Sequence, residues 1–145
     1  VAKFPERPVR IIVGYSPGGF PDTVARIVAQ RLGEKWGQQV IVENRPGANT
    51  VLAADLLIKS APDGYTLMVS DSSTVAINPF IYQKLSYEPF RDLTPISLTA
   101  RAPLFLAAHP SVPANTLQEF VGLAKAKPGS LSYGSSGIGS THHLC

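Results

Sequence analysis

The chain has 145 residues, 44% of them hydrophobic and 16% charged, with a formal net charge of +3. That balance excludes a disordered polyelectrolyte, and the length allows one ordinary domain core or parts of two smaller ones. Lysine and arginine are dispersed (Lys3, Arg7, Arg10, Arg26, Arg31, Lys35), so no basic block points to a nucleic-acid partner; the single cysteine, Cys145, allows neither an internal disulfide nor a cysteine metal cluster, and no apolar run reaches membrane-span length.

VRIIVGY (Val9–Tyr15), approached through Pro5 and Pro8, reads as a buried strand. After a glycine turn, Val24, Ile27, Val28, Leu32 and Trp36 recur at helical spacing, which predicts an amphipathic helix over Pro21–Trp36 with Pro21 in its first turn. Gln39–Asn44 is the next expected strand, broken by RPGAN. Thr50–Ala61 reads as a largely apolar, packed helix, PDGY as a turn and Thr66–Asp71 as a third strand. Strand, helix, strand, helix, strand with short connections is the pattern of a parallel sheet covered by helices.

A short helix is expected near Pro79–Lys84. Asp92–Arg101 and Pro103–Pro110 read as two further strands joined at Ala102–Pro103, a crossing point into a second lobe. TLQE (Thr116–Glu119) is a capping box, opening a helix whose Leu117, Phe120, Val121 and Ala124 share a face and which KPG stops. SLSYGSSGIGSTHHLC repeats the earlier grammar of strand, glycine-rich turn and helix start, with the helix beginning near Ser140. Residues 103–145 offer too few strands to close a core alone. The chain therefore reads as the N-terminal part of something longer, or as a piece needing a partner, for which a dimer is one form. Its opening, VAKFPERPVRIIV, suits a mature chain after leader removal or a cytosolic one.

The stretch GYSPGGFPD (Gly14–Asp22) carries two competing chemistries. Gly-x-Ser-x-Gly matches a nucleophile elbow, which needs the backbone N–H of the residue after the serine as an oxyanion donor. Here that residue is Pro17, which has no N–H, and none of His109, His142 and His143 is paired with an evident acid. Catalysis at Ser16, of a hydrolase or transferase kind, is the lesser reading. In the other, Gly18 and Gly19 let successive N–H groups point at one spot, and the following helix directs its positive end there, so that Ser16–Asp22 could cradle an anion without arginine. Two more strand ends, Ser70–Thr74 and Gly134–Thr141, add hydroxyls and amides, and three converging turns would form an uncharged cage beyond the strands' carboxyl ends.

No Walker lysine follows the glycines, and GIGSTH lacks the third glycine of a dinucleotide fingerprint, so nucleotide binding is not expected. Asp22 either contacts a ligand amine or water or, the weightier alternative, favours the helix N-terminus and pairs with Arg26. His142 and His143 are adjacent and so do not face one metal; no metal or other cofactor is expected. Trp36 and Phe120 read as core.

The segments FPERPVRIIVGYSPGGFPDTVAR, WGQQVIVENRPGA, APDGYTLMVS, INPFIY and HPSVPANTLQEFVGLAKAKPGSLSYGSSGIGSTHHL together resemble the substrate-binding proteins of tripartite tricarboxylate transporters, the Bug-type periplasmic receptors. The resemblance runs from Phe4 to Leu144, and P-G-G-x-x-D-x-x-A-R, E-N-R-P-G-A and D-G-Y-T in this order and spacing are its specific part. It implies an α/β, periplasmic binding protein type II-like, two-lobed Venus-flytrap receptor, non-catalytic, located in the periplasm with its signal peptide removed. Residues 1–101 would then form the lobe 1 core and residues 102–145 the start of lobe 2, both incomplete. A small carboxylate would be the ligand and the membrane permease subunits the partner. Carried onto this sequence, the binding residues are Tyr15, Ser16, Gly18, Gly19, Phe20 and Asp22 in the first turn, with Asp71, Ser72, Ser73, Ala76 and Asn78 after the third strand. Ser135, Ser136, Gly139, Ser140, Thr141 and His142 in the second-lobe turn would hold the ligand's far end. Phe20 stands where the family often has a small residue or threonine, which would narrow the pocket or stack on the ligand. Which carboxylate is bound stays open.

Overall fold

Four large aliphatic positions of one short strand, Val9, Ile11, Ile12 and Val13, are each at most 2% exposed. A strand buried on both faces is the hallmark of a central position in a covered parallel sheet, where alternation gives way to a continuous apolar run. In the computed structural model, which describes residues 4–144, this strand, β1 (Val9–Val13), lies between β2 (Val40–Asn44) and β3 (Thr66–Val69) in a three-stranded sheet of order β2-β1-β3. Both pairings are parallel, with Val13 in register with Asn44 on one side and Val69 on the other. Cys145 lies outside the described residues.

Helix α1 (Phe20–Trp36) covers one face. Its Ala25 and Ala29 pack on Ile11 and Val13, flanked by Val28, Val40, Val42, Leu67 and Val69. Small residues on the helix let it approach the sheet closely, and burying each of the large aliphatics it covers contributes about 1.5–3 kcal/mol. Pro21 lies in the first turn, where no intrahelical N–H is needed, and Gly37 closes the helix at φ 65° with its N–H on the Gly33 carbonyl. By strand alternation Ile12 and Gly14 turn to the opposite face, where helix α2 (Val51–Ile58) buries Ala53 and Ala54.

The link from β2 to α2 departs from a plain loop. Gly47 has φ 138° and ψ 150°, a region open only to glycine, and Ala48, Asn49 and Thr50 then follow at φ 45°, 47° and 75°. Three successive non-glycine residues in left-handed conformation are held only where the surroundings over-determine them. Thr50 is fully buried and its side chain presses on Gly14, where a Cβ would stand 2.8 Å from the threonine Cβ. The helix expected from Thr50 therefore begins one residue later, behind this turn.

After β3 the chain forms a π-helical turn, Ser73–Ile77, then the short helices α3 (Asn78–Ile81) and α4 (Pro89–Asp92). Helix α5 (Leu117–Ala126) starts where the capping box predicts: the Glu119 N–H donates to Thr116 Oγ1 at 3.2 Å, and the Glu119 carboxylate accepts from the Asn115 N–H at 2.7 Å. Helix α6 (Thr141–Leu144) ends the described chain.

The strands expected over Asp92–Arg101, over Pro103–Pro110 and ahead of the Gly134 turn are not formed. Asp92 closes α4 instead, and Ile96, Leu98, Phe105 and Leu106 are 68–86% exposed. A strand exists only through its ladder to a neighbour, and among the described residues no strand pairs with these segments. Their apolar, β-branched composition reports a preference for a half-buried surface, not the presence of one.

Candidate functional site

In a sheet of order 2-1-3 the connections leaving β1 and β3 run to opposite sides, which opens a crevice beyond the carboxyl ends of those two strands. Tyr15 lies two residues past the end of β1 and Asp71 two residues past the end of β3, so the register of Val13 with Val69 carries both to that crevice. There the Tyr15 hydroxyl donates to Asp71 Oδ2 at 2.7 Å, and Ser73 Oγ lies 3.4 Å from the same hydroxyl oxygen. Burial pushes the Tyr15 phenol up, and the neighbouring Asp71 carboxylate adds to it, so the phenol stays protonated and acts as a donor. The Ser73 N–H donates to Asp71 Oδ1 at 3.0 Å.

Ser16, Pro17, Gly18, Gly19 and Phe20 are all exposed on the β1–α1 turn. Gly18 sits at φ 90°. Its N–H is not free for a ligand, however, because it donates to Asp22 Oδ2 at 2.8 Å. Asp22 is 3% exposed and also accepts from Arg26 Nε at 3.0 Å and, on Oδ1, from Asn44 Nδ2 at 2.8 Å. The Arg26 hydrogen bond first, then the Gly18 N–H and Asn44, hold its carboxyl well below the usual carboxylate range. Asp22 thus takes the structural role: it ties the glycine turn to α1 and, through Asn44, to β2. Asn44 also donates to the Tyr15 carbonyl at 3.0 Å. The first turn of α1 has no side-chain cap, and since Pro21 brings no N–H and Thr23 bonds to the Gly19 carbonyl, the Phe20 and Asp22 N–H groups are the ones left there without an intrahelical acceptor.

The loop after β3 splits by depth. Ser72 and Ala76 are exposed, whereas Ser73 and Asn78 are completely buried. Asn78 Nδ2 donates to the Asn49 carbonyl at 2.7 Å and to the Tyr87 hydroxyl at 3.2 Å, while its Oδ1 accepts from Asn49 Nδ2 at 2.8 Å. The Tyr87 hydroxyl donates its proton to the Thr74 carbonyl at 2.8 Å, and the Thr50 and Thr74 hydroxyls meet at 2.7 Å. Asn78 is therefore a beam beneath the site, with Asn49, Thr50, Thr74 and Tyr87.

The Gly134–Thr141 turn reaches this assembly at two points. Ser72 Oγ and Thr141 Oγ1 are 3.2 Å apart at the rim, and Asn49 Nδ2 donates to the Gly139 carbonyl at 2.9 Å below it. Gly139, at φ 79°, packs so closely on Ile81 that a side chain would collide with it. Ser140 is 1% exposed, and its hydroxyl has no hydrogen-bond partner among the described residues. Ser135 and Ser136 are exposed, as is His142, whose Nδ1 is 2.9 Å from Ser136 Oγ. His143 Nδ1 turns instead to the Gly139 N–H. The three expected turns are thus joined by side-chain hydrogen bonds, Tyr15 to Asp71 and Ser72 to Thr141, with no lysine or arginine in either contact.

Four members of the network, Asn44, Asn49, Thr50 and Tyr87, escape sequence reasoning. The RPGAN break signals only a turn, and nothing in the sequence around Tyr87 sets it apart. Two open grooves elsewhere, of about 410 Å³ between α1 and the free edge of β2 and about 310 Å³ at the N-terminal ends of β1 and β3, do not border the crevice. Their walls are the sheet's rim and its flanking helix, and none of the three turns at the strands' carboxyl ends lines them.

Comparison with known proteins agrees with this geometry. The family described as "Tripartite tricarboxylate transporter family receptor" matches residues 24–145. A UPF0065 protein of Bordetella pertussis is 43% identical over 97% of this chain and 43% of its own length. The chain therefore spans less than half of that curated relative. Among solved structures, the R. palustris protein Rpa4515 with adipate superposes with a TM-score of 0.92 at 35% identity, over 97% of this chain and 47% of that one. The periplasmic binding protein BugD does so with a TM-score of 0.79 at 28% identity, over 98% and 47%. The α/β parallel sheet is thus that of periplasmic binding proteins, of which the chain covers about half. This chain belongs to the tripartite tricarboxylate transporter receptor family.

Proposed function

We propose that this chain supplies one wall, and part of the facing one, of a ligand cleft in a non-catalytic periplasmic receptor that captures a small carboxylate and delivers it to membrane permease subunits. Residues 1–101 would belong to the first lobe and residues 102–145 to the start of the second. The observation that carries this function is the meeting of three hydroxyl- and amide-rich turns at the β1/β3 crevice, tied by Tyr15–Asp71 and Ser72–Thr141 and overlooked by the uncapped start of α1. Amide and hydroxyl donors at the positive end of a helix bind an anion without a basic clamp. The adipate in the R. palustris neighbour and the periplasmic setting of BugD support carboxylate as the ligand class and the periplasm as the place.

Binding would draw Ser16, Gly19 and Phe20 against the anion from one side and Ser135, Ser136, Thr141 and His142 from the other. Lobe closure would then be favoured by contacts that only the closed state makes. Ser16 is a binding hydroxyl in this scheme, since Pro17 provides no oxyanion donor and no histidine hydrogen-bonds to Ser16 among the described residues. The test is calorimetric titration of the full chain with a panel of mono-, di- and tricarboxylates, alongside labelling by a fluorophosphonate serine probe. Saturable one-to-one binding of a carboxylate without labelling of Ser16 is expected. Ser16 labelling together with turnover of an ester would overturn the receptor assignment.

A further inference from the structure

Two carboxylates flank the carboxyl end of β1, Asp22 on the β2 side and Asp71 on the β3 side, and they are balanced differently. Asp22 is buried and neutralised by Arg26. Asp71 is partly exposed, and no lysine or arginine pairs with it among the ion pairs of the described residues. Among the described residues its charge is met by two neutral donors, the Tyr15 hydroxyl on Oδ2 and the Ser73 N–H on Oδ1. Each carboxylate oxygen has two lone-pair directions, so both retain an acceptor position after those bonds. The protonated Tyr15 keeps the carboxylate fixed in place, because a tyrosine hydroxyl has a single proton and here gives it to Asp71.

An acceptor of fixed position and uncompensated charge, beside a site for a carboxylate, discriminates sharply. It repels a second anionic group and leaves an apolar carbon with nothing to offer, whereas an ammonium or hydroxyl completes its hydrogen bonds. We propose that Asp71 is the specificity-determining residue of this cleft, selecting small acids that carry a hydrogen-bond donor, ammonium before hydroxyl, close to the bound carboxylate, over plain dicarboxylates. This rests on the receptor function proposed above. It gives Asp71 a role distinct from that of the hydroxyls and amides around it, which hold the anion without distinguishing what the next carbon bears.

Matched acids on one carbon frame test it: succinate, L-malate and L-aspartate, then glutarate, L-2-hydroxyglutarate and L-glutamate, titrated calorimetrically into the full chain. Within each set only one substituent changes, from hydrogen to hydroxyl to ammonium. The donor-bearing member of a set is expected to bind about tenfold or more tightly than the plain diacid, because a site built to hydrogen-bond a group rejects the analogue lacking it. Asp71→Asn, checked by its melting curve, is expected to compress that ratio to within about threefold, since the neutral amide retains the shape and loses the charge. Equal or tighter binding of the plain diacid to the unaltered protein overturns the proposal whatever the variant does. So does a ratio unchanged in a folded Asp71→Asn protein. In both cases the receptor function stands, because an acid is still bound. If no acid of either set or of the wider panel binds, the receptor function itself falls, and the selectivity falls with it.

Discussion

Replacing Gly14 by alanine isolates the contact that seats the site's strained turn. An alanine Cβ there would stand 2.8 Å from Thr50 Cβ, 2.9 Å from its Cγ2 and 3.1 Å from its Cα. Carbon atoms pack at roughly 3.5–4.0 Å, so the end of β1 and the left-handed turn would have to part by about half an ångström or more. Gly14 is not among the residues with positive φ, so the substitution brings no backbone penalty of its own and any cost is the collision. Overpacking costs about 1–3 kcal/mol. Thr50 has little freedom to retreat, being fully buried and bonded to Thr74, so the upper half of that range is expected for Gly14→Ala.

Thr50→Gly removes two of the three clashing atoms and suits φ 75°, while losing the hydroxyl pair and a buried methyl. The relief of left-handed strain, about 1–2 kcal/mol, offsets most of the two losses of about 1 kcal/mol each and leaves the variant near neutral to slightly destabilised. The double variant should then be more stable than the sum of the two single changes predicts by about 1 kcal/mol or more, the clash that remains with the residue-50 backbone keeping the rescue partial. Urea denaturation of the full chain followed by circular dichroism measures all three. A Gly14→Ala protein within about 0.5 kcal/mol of the original, or strict additivity, would refute the packing argument.

Asp22→Asn removes a carboxylate whose folded pKa lies below its unfolded value of about 3.9. The stabilisation is complete above that value and is lost as pH falls through the folded pKa, so the original protein's advantage should be largest near neutrality and shrink below about pH 4; parallel stability curves across that span would show that Asp22 does not hold the turn. Asn49→Ala deletes the donors to Asn78 Oδ1 and to the Gly139 carbonyl and strands the buried Asn78 oxygen, at a cost of about 2–3 kcal/mol. Amide exchange should accelerate over residues 137–141, and unchanged protection there would mean that Asn49 does not anchor that turn.

Local chemistry was enough to read much of this chain. The apolar run of β1, the 3.6-residue recurrence along α1, the Thr116–Glu119 box and the glycine turns each state their structure within a few residues, because hydrophobic periodicity, capping and left-handed backbone are short-range properties. The α/β class and the location of the site beyond the strand ends follow from that order of elements. What only the tertiary structure decided depends on contacts across long separations. Ile96, Leu98 and Phe105 compose strand-like segments that stay exposed, since a ladder needs a partner and composition does not supply one. Asp22 and Gly18 hydrogen-bond to each other, and seeing this required knowing that Arg26 and Asn44 converge on the same carboxylate. The beam of Asn49, Thr50, Thr74, Asn78 and Tyr87 joins residues far apart in the chain. No periodicity marks it, because buried polar groups are placed by whichever neighbour completes their hydrogen bonds once the fold has formed.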